Sequence, residues 1–299
     1  MMRRRLFIFA MLAPSFSLLV LFYAFPIVQN LSMSFTDRSL LGMSRGANFI
    51  GLTNYREMLH SGDFGHIFFN TLIWLTVTSV AIRLLMGLGI AVLLNSTALK
   101  RLRMQTIARL GLLVPWATPP IVAVVIWRWL LEPQGAVNRA LVGLGIIDQP
   151  VAFFANVRTV WPAIVTIMVW NTVPLIALSL LASLQSVPEE LYEAAELEGA
   201  NQWQVFRYIT LPFLTPAILI LGLMSVFWSF NNFVYVWLAT GAGPGTLTNV
   251  LATEVYIKAF IDFRLGYSSA IGMVMALLMA IFGVVYLRLV ARRQLEESL

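Results

Sequence analysis

Six apolar stretches, each long enough to cross a bilayer, punctuate this sequence: Leu6–Val28, Ile67–Leu94, Leu110–Leu131, Val160–Leu184, Phe213–Leu238 and Leu265–Leu287. A helix needs about 20 apolar residues to span the hydrocarbon core. Six such stretches therefore predict an all-α integral membrane protein with six transmembrane helices, since helices satisfy their own backbone polar groups in lipid. Charge agrees, with only 11% of residues ionisable against roughly 25% in a soluble domain. The longest gap between spans, Gln29–His66, is too short for a sizeable core of its own, so a single transmembrane domain over 1–299 is expected. Arg3–Arg5 ahead of the first stretch imitates a secretory leader. That stretch exceeds an ordinary leader core and no small-x-small site follows it, so it reads as a retained first span.

An even number of spans puts both termini on one side, and Lys and Arg choose which. With cytoplasmic termini the inside holds 11 basic residues, including the clusters Arg3–Arg5, Lys100–Arg103 and Arg292–Arg293, and the outside holds 7, mostly in longer loops. Cytoplasmic termini follow from the positive-inside rule. The net charge of +6 is scattered at helix ends rather than gathered in a patch, which argues for bilayer orientation and against a nucleic-acid partner. The chain has no cysteine, which excludes disulfides, thiol catalysis and Cys-based metal sites. His60 and His66 share one loop without ligand companions and read as loop residues. No G-x-x-x-x-G-K-[ST] loop is present to cradle phosphates, and no catalytic constellation stands at one depth. The chain is expected to be neither an enzyme nor a cofactor binder.

The fourth loop, 185–211, contradicts its expected cytoplasmic place by carrying Glu189, Glu190, Glu193, Glu196 and Glu198 against Arg207 alone. Its local signals are a helix start, with Ser186 as cap and Pro188 in the first turn, and a stop at Gly199 after about Glu198. Asn201 is placed to cap a second short helix, Gln202–Tyr208, before Leu211-Pro212 opens the fifth span. Leu191, Ala194, Ala195 and Glu198 share one face, with small residues that permit close approach of another protein. On spacing alone, a solvated acidic helix with no partner accounts for the loop equally well.

Resemblance separates the two. Glu193-Ala194-Ala195, three residues, Gly199, nine residues, Ile209, one residue, then Leu211-Pro212 resembles the "EAA" loop of ABC importer permeases in every element and gap. The resemblance implies that the loop is a coupling helix seated in a cleft of an ATPase subunit, with Glu193 the polar contact, Ala194 and Ala195 the close-packing face and Gly199 the turn. Ile50-Gly51-Leu52-Thr53-Asn54-Tyr55 is similar to the "GLxNY" element of the carbohydrate-uptake branch, in its first permease type. Pro115-Trp116 with Trp127-Arg128-Trp129-Leu130 is similar to that branch's third span. Thr240-Gly241-Ala242-Gly243-Pro244 resembles its "TGGGP" loop, with Ala242 for the middle glycine. The resemblance implies a type I importer fold in the bacterial inner membrane and a sugar or sugar derivative as cargo. The implied partners are a second, homologous permease, two ATPase subunits holding ATP and Mg, and an extracytoplasmic solute-binding protein. The alternatives are a permease for another solute, or a self-contained secondary transporter. The latter calls for repeats or intramembrane acids, and no Asp or Glu lies within a span.

A sugar path needs inward amides to meet hydroxyls and aromatic faces to stack on rings. The fifth span offers Trp228, Asn231, Asn232 and Tyr235, with Ser225 and Ser229; the fourth offers Asn171 and Thr172 ahead of Pro174. The competing reading has these groups bonding between helices and the aromatics facing lipid. Arg83 stands near the middle of the second span, where an arginine costs about 2.5–3.5 kcal/mol on insertion scales and marks a functional hypothesis. It reads either as the counter-charge for an anionic sugar derivative or as an arginine paired with a carbonyl or a neighbouring helix, or snorkelling. The second span is peripheral in the resembled fold, which favours the latter. Arg128, between Trp127 and Trp129, is expected to anchor at the interface. Asn249–Phe260 reads as an interfacial helix that, with Gly241–Gly245, touches a binding protein or simply covers the surface.

Overall fold

The computed structural model describes residues 2–42, 46–96 and 105–296. The basic cluster Lys100–Arg103 lies outside the described residues, as do the side chains of Arg3–Arg5 and Arg292–Arg293. Among the described residues the secondary structure is helical, with one isolated antiparallel bridge between Thr36 and Phe49. Five helices are long and apolar enough to cross a membrane, or six if one bent pair counts as a single span. The chain divides into two compact units: Met1–Gly65 with Leu251–Leu278, and His66–Val250 with Met279–Leu299.

In the first unit, α1 (Met11–Ser34) is apolar and exposed over most of its length, with Ser34 buried at its end, as a lipid-facing helix is free to be. The described helix α2 (Thr53–His60) follows. The side chain of Asn54 donates to the carbonyls of Ser34 (2.8 Å) and Thr36 (2.9 Å), and Tyr55 Oη donates to Ser34 Oγ at 2.7 Å. The last carbonyls of a helix have no intrahelical partner, so the Asn-Tyr pair of the GLTNY element finishes α1.

In the second unit, α3 (Phe64–Asn95) packs along α7 (Val160–Leu184), the most buried of the candidate spans. Ala91 and Leu94 of α3 meet Ile176, Leu180 and Leu184 of α7 and Leu214 of the fifth span. Gly87 permits this approach: a Cβ there would lie 2.6 Å from Ile176 Cγ2 and 3.3 Å from the backbone nitrogen of Ala177. The second span is thus packed closely against α7 along one face. Within α3, Asn70–Thr78 widens into a π-helix. Thr76 Oγ1 donates to the Thr71 carbonyl five residues back at 2.8 Å, a π rather than an α spacing. Such stretches re-aim the side chains that follow them, here Ser79 and Arg83.

Two predicted spans are broken. The third is split into α4 (Gln105–Ala117) and α5 (Pro120–Leu131). The chain continues into α6 (Ala136–Gly143), and the two sides of the break meet at 97°. Pro119 and Pro120 supply no N–H and push the residue before each out of helical conformation. The fifth span begins earlier than expected, because Gln202 to Phe230 is one helix, α9. The short helix after Asn201 runs into it through a π-turn at Phe206–Thr210. It also ends earlier: the chain turns at Asn231–Phe233, and α10 (Val234–Thr240) follows. Between α7 and α9 lies α8 (Glu189–Leu197) of the acidic loop. The last helices are α11 (Leu251–Tyr256), extended by a π-turn to Ile261, and α12 (Leu265–Glu296).

Candidate functional site

The two breaks border one cavity. It has a volume of about 600 Å³ and is lined from α3, α7, α9, α10 and the α4–α5 junction of the second unit. That volume lies in the range of small-molecule sites. The path candidates Arg83, Asn171, Trp228, Asn231, Asn232 and Tyr235 all border it. Thr172 does too, and Trp116 adds an aromatic face that spacing had attached only to a motif. No Asp or Glu is among the lining residues.

Asn171 organises the wall. Its Nδ2 donates to the carbonyls of Pro115 (2.6 Å) and Thr118 (2.9 Å), and its Oδ1 accepts from Tyr235 Oη. In a regular helix the Pro115 carbonyl would receive the N–H of residue 119, which is a proline and has none. The Thr118 N–H reaches that carbonyl instead, at 3.2 Å; the amide of α7 adds a shorter bond to it, and the Tyr235 hydroxyl fixes the amide. Asn171 and Tyr235 shape the cavity while much of their bonding capacity is committed within its wall. At the α9 end, Asn231 Nδ2 donates to the Phe227 carbonyl at 3.0 Å while the residue stays exposed. Trp228 is partly exposed, at 37%, leaving its ring accessible.

Arg83 neither snorkels nor pairs with a backbone carbonyl. It is 1% exposed, and its Nη2 donates to Ser79 Oγ (2.9 Å) on its own helix and to Ser229 Oγ (3.2 Å) on α9. Ser79 is held in turn by donating to the Leu75 carbonyl. Arg128 is not simply an anchor: its Nη1 donates to the Leu238 carbonyl at 3.0 Å, a cation at the C-terminal end of α10 where the helix dipole favours one.

The acidic loop forms its two helices. Gly199 takes φ +74°, and the Ala200 N–H returns to the Ala195 carbonyl at 2.9 Å, a Schellman-type stop. Asn201 and Gln204 exchange side-chain and backbone bonds at 3.0 and 2.8 Å, a capping box. Ser186 does not cap α8. The helix starts at Glu189 with Pro188 as its N-cap, and Ser186 Oγ donates to the Ser183 carbonyl instead. Glu193, Ala194 and Gly199 are exposed, Ala195, Ile209 and Leu211 half-buried, and Pro212 exposed. Leu197 (90% exposed), Trp203 and Tyr208 project apolar surface from this otherwise polar helix pair.

Spacing missed two polar hubs. Asn70 Nδ2 donates to the carbonyls of Leu247 and Asn249, both at 3.0 Å, tying α3 to the loop after the Thr240–Pro244 motif. Asn138 bonds to the Glu132 carbonyl (2.8 Å) and, through both amide atoms, to Val151. An apolar run interrupted by a lone Asn was the one available signal.

The chain is similar to known proteins along most of its length. A family model described as "Binding-protein-dependent transport system inner membrane component" matches residues 83–295. The sulfoquinovosyl glycerol transport system permease protein of Agrobacterium fabrum is 35% identical over 287 residues, covering 96% of this chain and 91% of that protein. The diacetylchitobiose uptake system permease protein of Streptomyces coelicolor is 30% identical, covering 97% and 88%. A chain from the crystal structure of a bacterial ABC transporter that imports the acidic polysaccharide alginate superposes with a TM-score of 0.80 at 22% identity, covering 97% and 96%.

Proposed function

The chain belongs to the binding-protein-dependent transport inner-membrane family, and from that premise we propose how it works. It is the single-domain, six-span permease subunit, both termini cytoplasmic, of an importer for a sugar or sugar derivative in the bacterial inner membrane. It pairs with a second homologous permease and two ATPase subunits that hold ATP and Mg. It receives cargo from an extracytoplasmic binding protein and moves it by alternating access. Glu193, Ala194, Ala195 and Gly199 form the ATPase-docking element, with Ile209, Leu211 and Pro212 joining it to the fifth span.

The observation that carries the reading is the cavity at the two broken spans, where amides and aromatic faces converge without a carboxylate. Hydroxyl-rich, ring-shaped cargo uses those groups; ion-coupled carriers place intramembrane acids instead. The saccharide names of the two curated relatives support the cargo class. ATP acts only through preferential binding to one arrangement of the complex, and the exposed helix pair α8–α9 is the surface through which that preference is felt.

The test is reconstitution of the chain with its partner subunits in proteoliposomes. ATP hydrolysis stimulated by saccharide-loaded binding protein is expected. Uptake that persists without the ATPase subunits would return the self-contained carrier. Stimulation by amino acids or peptides and by no saccharide would assign another solute.

A further inference from the structure

The cavity holds a cation with nothing among the described residues to neutralise it. Of the five N–H donors of a guanidinium, Arg83 uses those on Nη2, toward Ser79 and Ser229. Nε and Nη1 are buried and have no acceptor. The ion pairs of Lys258 with Glu254, Lys258 with Asp262 and Arg264 with Glu57 lie in the first unit. The cavity wall around Arg83 offers only neutral amides, hydroxyls and aromatic rings.

A buried, unpaired charge is costly, and breaking a buried pair costs more than replacing both partners with apolar residues. An arginine kept in this state for packing alone would be better served by a leucine. The serines hold it in place rather than neutralise it: two hydroxyls satisfy one nitrogen and leave three donors for something that enters. An oxyanion with two or three oxygens supplies both the missing acceptors and the missing charge, and guanidinium is the side chain suited to carboxylate-, phosphate- and sulfonate-like groups.

We propose that Arg83 is the recognition residue for an anionic group on the transported saccharide, held in position by Ser79 and Ser229. The cargo is then an acidic sugar whose ring meets Trp228 and the amides of Asn231 and Asn232 while its oxyanion meets Arg83. This rests on the cavity being the translocation path.

The experiment uses the complete reconstituted importer and three probes: a disaccharide ending in glucuronic acid, a 6-sulfonated glucoside, and the matching neutral glucosides. Uptake and stimulated ATP hydrolysis are measured for wild type, Arg83→Gln and Arg83→Lys. The expected result is a wild-type preference for at least one acidic probe over its neutral match. Its KM should rise roughly tenfold or more in Arg83→Gln, the loss of a charge-assisted contact, with partial recovery in Arg83→Lys. Where Arg83→Gln fails to assemble, the wild-type preference decides alone. A preference for neutral probes, or a KM for the acidic probe that Arg83→Gln leaves unchanged, overturns the inference and leaves the saccharide importer intact. A carboxylate of the second permease that neutralises Arg83 would show as that same neutral preference. Failure of every saccharide while another solute class drives hydrolysis overturns the proposed function itself.

Discussion

Tyr235 donates its phenolic hydrogen to Oδ1 of Asn171 across 64 residues of sequence, and so joins the short helix after one break to the amide that seals the other. Both groups are buried. The Asn171 amide has both hydrogens committed to the carbonyls of Pro115 and Thr118. The wall of the cavity is therefore one polar network rather than separate side chains.

Removing the hub should cost more than removing the spoke. Asn171→Leu removes three buried hydrogen bonds at once, to the Pro115 and Thr118 carbonyls and from Tyr235, and should destabilise the chain by about 2–4 kcal/mol; Tyr235→Phe loses one bond and should cost about 1–2 kcal/mol. Thermal unfolding of the purified chain in detergent measures both. In a double-mutant cycle the two losses should not add, because Tyr235 has nothing to fix once Asn171 is gone. Additive losses would mean that the two act independently.

A second expectation concerns the contact of α3 with α7. Gly87→Ala places a methyl 2.6 Å from Ile176 Cγ2 and 3.3 Å from a backbone nitrogen, which should cost about 1–3 kcal/mol by overpacking. Ile176→Ala removes the nearest obstacle, so the double variant should be more stable than the sum of the single losses predicts. If Gly87→Ala melts with the wild type, α3 and α7 pack less closely than described.

The bilayer explains why so much of this architecture was legible. A span must be apolar for about 20 residues whatever it packs against, so Val160–Leu184 could be read to the residue. Local chemistry was legible where the determinants are adjacent: Gly199 stops one helix and Asn201 with Gln204 starts the next. Ser186 failed because a cap must sit directly before the first turn, a place taken by Pro188. The break at Pro119-Pro120 was written in two prolines, yet an average of hydropathy runs straight across it. The break at Asn231–Phe233 carries no proline or glycine. The partners of Arg83 were hidden for the same kind of reason: its environment depends on Ser229, 146 residues away, and a residue's own span does not record what packs against it.

The first unit should show a small acid-sensitive term. Glu57 receives two bonds from Arg264 at 2.6 Å. These bonds hold its carboxyl below the ordinary value of 4.5, against the opposing effect of partial burial. A depressed acid contributes stability that is present above its unfolded pKa and is lost as pH falls through the folded value. Both side chains are more than 40% exposed, at 42% and 46%, so the contribution should be no more than about 1 kcal/mol. Wild type should then melt above Glu57→Gln from neutral pH down to about pH 5, with the difference closing below about pH 4. A gap that is constant across this range would place the effect of Glu57 in packing rather than charge.

The proposed docking loop gives the last expectation, and its two halves separate geometry from contact. Gly199 adopts φ +74° with open space where a Cβ would sit, so a substitution there is opposed by backbone strain and not by collision. A left-handed conformation costs an ordinary L-residue roughly 1–2 kcal/mol, whereas Asn tolerates it. Gly199→Val should therefore distort the turn between α8 and α9 and reduce retention of the ATPase subunit by about tenfold, while Gly199→Asn should stay close to wild type. Glu193 is exposed, so Glu193→Lys should leave the melting temperature of the isolated chain unchanged and still weaken retention. Co-purification of the ATPase subunit, set beside thermal unfolding of each variant, reads the two effects separately. Full retention in both Gly199→Val and Glu193→Lys would mean that the ATPase docks elsewhere, and the exposed Leu197, Trp203 and Tyr208 would then need another partner.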